Sequence, residues 1–179
     1  SNGFTHGVGG YLNSRAWDAN PEFGPDAITN DEYSKVTNNC YTYACDDLIG
    51  HPAGGINPGE LLGIEISRDE ITLRNIGVLS TEEGALKRPS LLNKLGFGKR
   101  GHYSVYLAVD PGGDYHFYRQ DKGGGWSHKR GNGSVTNLDA SGNVIRNPNR
   151  ANRVYKSYNR QGQLLTRNYS QIIELWRRK

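Results

Sequence analysis

GHYSVYLAVDPGGDYHFYRQ, residues 101–120, decides the fold. From His102 the chain alternates, placing Tyr103, Val105, Leu107 and Val109 on one face and His102, Ser104, Tyr106 and Ala108 on the other. That is the period of a half-buried strand. Asp110-Pro-Gly-Gly-Asp114 is a turn and YHFYRQ opens the returning strand, so the stretch reads as a hairpin. The set containing Tyr103 belongs in a core. His102 then points away from that face, to the side where a cleft can open. Gly123–Gly125 turns the chain into WSHK, and DASGN makes a further turn between SVTNL and VIRN. The second half is therefore expected to be an antiparallel sheet.

Upstream, DEYSKVTNNCYTYACDDLIG (31–50) carries helix signals. Thr37, Asn38 and Asn39 are N-cap candidates, Gly50 is a stop and Pro52 follows. Tyr41, Ala44, Cys45 and Leu48 recur at helical spacing and form a buried stripe, which puts Cys40 in the first turn. Ser67 with Glu70 resembles a capping box and predicts a short helix over residues 68–76. Another short helix is expected near Thr81–Leu86. Residues 1–30, rich in Gly, Asn and Pro, read as an irregular wrapping segment. The fold class is α+β, with an N-terminal helix carrying Cys40 packed on an antiparallel sheet.

The length of 179 residues fits a single domain over 1–179, and 35% hydrophobic residues with 24 glycines imply many loops and short strands. No window approaches the ~18 apolar residues of a membrane span, and no signal-peptide pattern is present. The chain begins SNGFT and contains no Met, so it is expected to be processed or excised from a longer protein. From Arg146 to Lys179 nine Lys/Arg face one acid, Glu174, whereas residues 1–145 carry 13 positive and 17 negative charges. Such a basic end suits an anionic polymer or an acidic partner, or simply a solvated face. DASGNVIRN (139–147) and NRQGQLLTRN (159–168) echo each other as two similar hairpins, too few for a repeat architecture.

Within a helix Cys40 and Cys45 lie about 9 Å apart, beyond the roughly 7 Å reach of a disulfide. Two cysteines without a nearby His spacing also argue against a metal finger. A cysteine at a helix start, followed by strand histidines, instead suits a nucleophile: the helix end and an imidazolium both favour thiolate. Cys45, in the apolar stripe, reads as core. The base stands open at this point between His102, oriented by His116, and His116, oriented by Asp114, His102 or a residue not singled out by the sequence, with neither histidine as the third case. Asn39, or its neighbour Asn38, is an oxyanion candidate beside the Cys40 amide, though either also serves as a cap. Tyr118, Trp126 and His128 are candidate substrate contacts, as is Tyr103, and each also fits a purely structural role. His6 and His51 lie in loops without evident partners.

The order of helix-borne Cys, strand His and a further polar residue on the next strand resembles the papain-like cysteine hydrolase superfamily. It is most similar to the NlpC-type and CHAP cell-wall amidases and endopeptidases. In those, a strand of the form G-H-V-x-[IV]-Y precedes a turn and a third catalytic polar residue, often another His. Gly101, His102, Tyr106 and then His116 match that phrasing here. The resemblance covers about thirty residues in two patches. It implies Cys40 as nucleophile, His102 as base and His116 as its orienter. Asn39 and Tyr41 depart from the family's Asp before and small residue after the nucleophile. DYHFYRQD…GGWSHKRG looks like a motif of bacterial and phage proteins, some of them toxin domains.

The expected function is thus a cysteine hydrolase of amide bonds, in peptidoglycan stems or a protein target, needing no cofactor or metal. A secreted or delivered bacterial effector, toxin or lysin fits, with an immunity or inhibitor protein as a partner and nucleic acid disfavoured. One alternative keeps the site and makes it a deamidase or transglutaminase. Another is a non-enzymatic, basic, β-rich binding module with Cys40 merely buried. No Walker motif, GxSxG elbow or HExxH is present.

Overall fold

The computed structural model describes residues 38–46, 54–131 and 133–179. The expectations for residues 1–30, His6, Leu48, Gly50, His51 and Pro52 lie outside them. Helix α1 is Cys40–Ala44, followed by short 3-10 turns at Glu60–Leu62 and Arg68–Glu70, α2 at Leu73–Glu82 and α3 at Leu91–Lys94. Strands β1 (His102–Asp110), β2 (Asp114–Gln120), β3 (Trp126–Lys129), β4 (Val135–Thr136) and β7 (Gln171–Arg178) form one antiparallel sheet in the order β4-β3-β2-β1-β7. A separate hairpin pairs β5 (Val154–Tyr158) with β6 (Leu164–Asn168). The fold class is α+β and mostly β.

The alternation in β1 sorts its side chains between two cores. Tyr103, Val105, Leu107 and Val109 pack with Cys45, Ile76 and Phe117 under the helices, whereas Ala108 joins Tyr118, Trp126, Ile145, Tyr155 and Tyr169 on the opposite face. Burying each large apolar side chain in either core contributes about 1.5–3 kcal/mol. Trp126 and Tyr118 are thus core residues. Trp126 meets the Tyr106 ring edge-on at 5.2 Å, and Tyr103 donates from its hydroxyl to the Ala44 carbonyl at 2.9 Å.

Two expected helices move. Ser67 does make the capping box with Glu70, but it starts only the 3-10 turn Arg68–Glu70. The α-helix begins afterwards at a second cap, Thr72, whose hydroxyl accepts from the Asn75 amide, and it ends at Glu82. Helix α2 therefore replaces the pair expected at 68–76 and Thr81–Leu86.

The echo between 139–147 and 159–168 has a common turn chemistry. Asp139 Oδ1 accepts from the Ser141 and Asn143 amides, and Asn159 Oδ1 from the Gln161 and Gln163 amides. In each, a glycine at positive φ, Gly142 or Gly162, closes the turn.

Candidate functional site

Strand β2 is laddered to β1 from Arg119 to Asp114, but to β3 only at Arg119 and Gln120. Its edge from Asp114 to Tyr118 is left open on the β3 side, and the N-terminus of α1 fills that gap. A cavity of about 470 Å³ results, lined by Asn39, Cys40, Asp114, Tyr115, His116 and Arg130, among others. The Phe117 amide on the open edge and the Tyr41 amide of the helix both favour a charged Cys40 sulfur.

The end of α1 is held in place from several sides. Asn39 Oδ1 accepts from the Tyr41 and Thr42 amides, and its Nδ2 donates to the Ile56 carbonyl at 2.8 Å. Its side chain is therefore the cap, one of the two roles expected of it, and its Oδ1 and Nδ2 are both engaged in holding the turn. The cap takes the second and third helical amides and not that of Cys40. Buried Lys129 donates from Nζ to the Asn38 carbonyl at 2.6 Å, and to that of Gly131. Behind the helix, Arg119 pairs with Asp46 and Asp121 and lies 4.2 Å over the Tyr43 ring. Asp46 sits at φ 55, a left-handed position that ends the helix and that aspartate tolerates better than most residues.

Gly55 lies against this cap at φ +97, where an added Cβ would come within 2.7 Å of Asn39 Cγ and 2.8 Å of its backbone N. Gly55→Ala is expected to lower stability by about 1–3 kcal/mol and to disturb the Cys40 turn. Urea unfolding measures the first and thiol accessibility the second.

His116 Nε2 stands 2.7 Å from His128 Nδ1, and His128 Nε2 stands 2.7 Å from the Leu138 carbonyl. A carbonyl only accepts, so His128 carries its proton on Nε2 and presents a lone pair at Nδ1. His116 must then donate from Nε2, and the network assigns its own lone pair to Nδ1. Tyr118 packs against both imidazoles, at 4.9 and 4.8 Å between ring centroids. It braces the pair and does not line the cavity.

His102 is elsewhere. On β1 it pairs with Arg178, whereas His116 sits opposite Ala108. Six residues of strand separate the two positions, roughly 20 Å. The His102 ring lies 5.8 Å from that of Trp176. This corrects the expectation of His102 as base: among the two candidates only His116 shares a cavity with Cys40. The side chain hydrogen-bonded to His116 is His128, which sequence reasoning took for a structural or substrate-contacting residue. The signal was available in the hairpin register, because pairing Arg119 with Ser127 sets His128 opposite Tyr118 and diagonal to His116. Asp114 lines the cavity beside Cys40 and accepts from the Tyr169 hydroxyl at 2.8 Å.

Electrostatics set the resting protonation. Burial, then the Asp114 charge, pushes the Cys40 thiol up to about 12, against the Phe117 amide, the Lys129 charge and the Tyr41 amide. Burial, then His128 and Arg130, holds His116 well below its ordinary value. The free protein thus rests as thiol and neutral imidazole, not as the thiolate expected from the helix end alone. Neither cysteine is in a disulfide, and both are buried.

The histidine pair also makes stability depend on pH. Burial above all takes His128 from 6.5 down to about 4. Between those values the unfolded chain binds more protons than the folded one, so stability is full above 6.5 and falls as pH drops toward 4. His128 alone accounts for about 3 kcal/mol of that loss, and His116 adds in the same direction. Thermal unfolding followed across the window checks it; a flat profile would contradict the buried neutral pair.

No family model and no solved structure matches the chain. The chain is similar to insoluble matrix shell protein 1 of Ruditapes philippinarum, 51% identical over 49 residues, which are 27% of this chain and 33% of that protein. It therefore spans about a third of the length of the curated relative it matches.

Proposed function

We propose that the protein is a cysteine-dependent amide hydrolase of the papain-like kind, with Cys40 as nucleophile, His116 as base and His128 as the residue orienting that base. One observation carries this reading: Cys40 and His116 line the same cavity while His116 is locked, through His128, into the tautomer with its lone pair on Nδ1. Neutral thiol and neutral imidazole make proton transfer part of the attack. As Cys40 Sγ bonds to the amide carbon, its proton passes to His116 Nδ1, and the carbonyl oxygen becomes an oxyanion facing the Cys40 amide at the start of α1. His116, now cationic, keeps its Nε2 bond to His128. It gives the proton to the leaving amine, and the acyl-enzyme forms. Water then attacks, His116 accepts its proton, and the thiol is restored as a carboxylic acid departs.

The test is to incubate the protein with a muropeptide mixture and with unfolded protein, quench in acid and measure the mass of the Cys40 peptide. An acyl adduct on Cys40, with amine release lost in Cys40→Ala, is the expected result. Ammonia release without chain cleavage would make the same site a deamidase. No adduct from any amide source would sink the reading. A second reading, a non-enzymatic matrix-binding module, is favoured by the short likeness to a protein named for an insoluble matrix and by the basic end of the chain. It predicts polyanion binding that Cys40→Ala leaves intact.

A further inference from the structure

At the opposite end of β1 from the cavity, the chain displays apolar side chains that no core accounts for. Leu91, Leu92, Leu95 and Phe97 are 76, 65, 67 and 65% exposed. Four large apolar residues at such exposure within seven positions are not the scattered hydrophobics of an ordinary surface.

They are held there by an ordered turn. Ser90 Oγ accepts from the Asn93 amide and Asn93 Oδ1 from the Ser90 amide, and Asn93 Nδ2 donates to the Phe97 carbonyl at 2.8 Å. Gly96 and Gly98 take positive φ, and a Cβ on Gly98 would fall 2.8 Å from Asn93 Nδ2. Pro89 is buried at the root of the loop. The backbone is therefore built to present the leucines and the phenylalanine outward.

Charge identifies what covers them. Between Gly84 and Gly101 stand Lys87, Arg88, Lys94, Lys99 and Arg100, with no acid. Strand pairing brings Arg178 beside His102, and a bridge sets Lys87 against Trp176. Lys87, Arg100, His102 and Arg178 then share a cavity of about 590 Å³ at the loop's base. An apolar tip ringed by cations, next to a basic cavity, matches the interface of an anionic bilayer: acyl chains take the tip and headgroup phosphates meet the cations.

We infer that residues 87–100 form a peripheral membrane-docking loop for anionic phospholipid, in which Leu91, Leu92, Leu95 and Phe97 insert and Lys87, Lys94, Lys99 and Arg100 bind headgroups. The site lies about six strand residues from His116 and stands independently of the hydrolase reading. It also provides a role for His102, at the edge of the headgroup cavity.

The full chain would be co-sedimented with phosphatidylcholine vesicles containing a minority of phosphatidylglycerol, and with pure phosphatidylcholine vesicles. Binding to the anionic vesicles alone, weakened by salt, is expected. Each of Lys94→Gln and Arg100→Gln should weaken it about fivefold. Leu95→Gln and Phe97→Gln should each weaken it on the order of tenfold or more. All four side chains are exposed, so unchanged thermal unfolding confirms that the variants fold. Failure to prefer anionic vesicles, or indifference of binding to these variants, overturns the proposal. So does self-association in solution that Phe97→Gln abolishes without any vesicle binding, which would make the loop an interface between copies.

Discussion

Replacing His116 by alanine is expected to slow acylation of Cys40 by about 10²–10⁴-fold, the usual contribution of a positioned general base. His102→Ala should leave the rate unchanged, since that ring lies against Trp176 at the far end of β1. The contrast separates the two histidines more sharply than either variant alone. Added imidazole should restore part of the rate in His116→Ala by occupying the vacated space, which a merely structural role would not allow. His128→Ala should reduce the rate less, because the base remains and only its tautomer is released. Equal losses for His102→Ala and His116→Ala would contradict the assignment.

The protonation states add a second signature to the same experiment. With the thiol pushed up to about 12 and His116 held low, iodoacetamide labelling of Cys40 should climb steadily with pH. A resting thiolate–imidazolium pair would instead label well in mild acid and level off. The buried sulfur is therefore expected to be a poor target for small alkylating agents yet a competent nucleophile once a bound amide orients the proton transfer.

The largest loss of stability is expected from Arg119→Ala, at about 3–5 kcal/mol. Arg119 is 1% exposed and answers two buried carboxylates, Asp46 and Asp121. Asp121 is also held by the Ser127 hydroxyl at 2.7 Å, and Ser127 meets the Tyr43 hydroxyl at 2.7 Å. Removing the guanidinium takes a buried cation away from both carboxylates and takes away the platform under Tyr43. Urea unfolding measures the loss, and neutralising the partners in the triple variant Arg119→Met, Asp46→Asn, Asp121→Asn should recover much of it. Because Tyr43 belongs to α1, Arg119→Ala should also loosen Cys40, seen as faster labelling by iodoacetamide. Unchanged urea unfolding in Arg119→Ala would show that the network contributes little.

Local reading carried far where one period or one cap decides the outcome. The alternation over 102–109 sorted β1 between its two cores, Asn39 was among the named caps, and Cys40 falls in the first turn of α1. Each of these depends on neighbours within a few residues. The helix bounds over 68–86 did not follow, because Ser67 and Thr72 are both capping residues and the local sequence does not say which begins a longer helix.

What the sequence by itself determined is the α+β class, the β1–β2 hairpin and the chemistry on offer: a helix-start cysteine followed by strand histidines. Only the tertiary structure decided which histidine lines a cavity with the cysteine. His102 and His116 lie on adjacent strands, and alternation assigns each a face but not a height along the sheet. The register of β1 against β2 places them roughly 20 Å apart, and the gap left where β3 stops short of Asp114–Tyr118 admits α1 beside His116. The protonation state was settled at the same level. A helix end favours thiolate through its own amides, but burial beneath the sheet edge outweighs them, since the cost of burying a charge is set by everything packed around it.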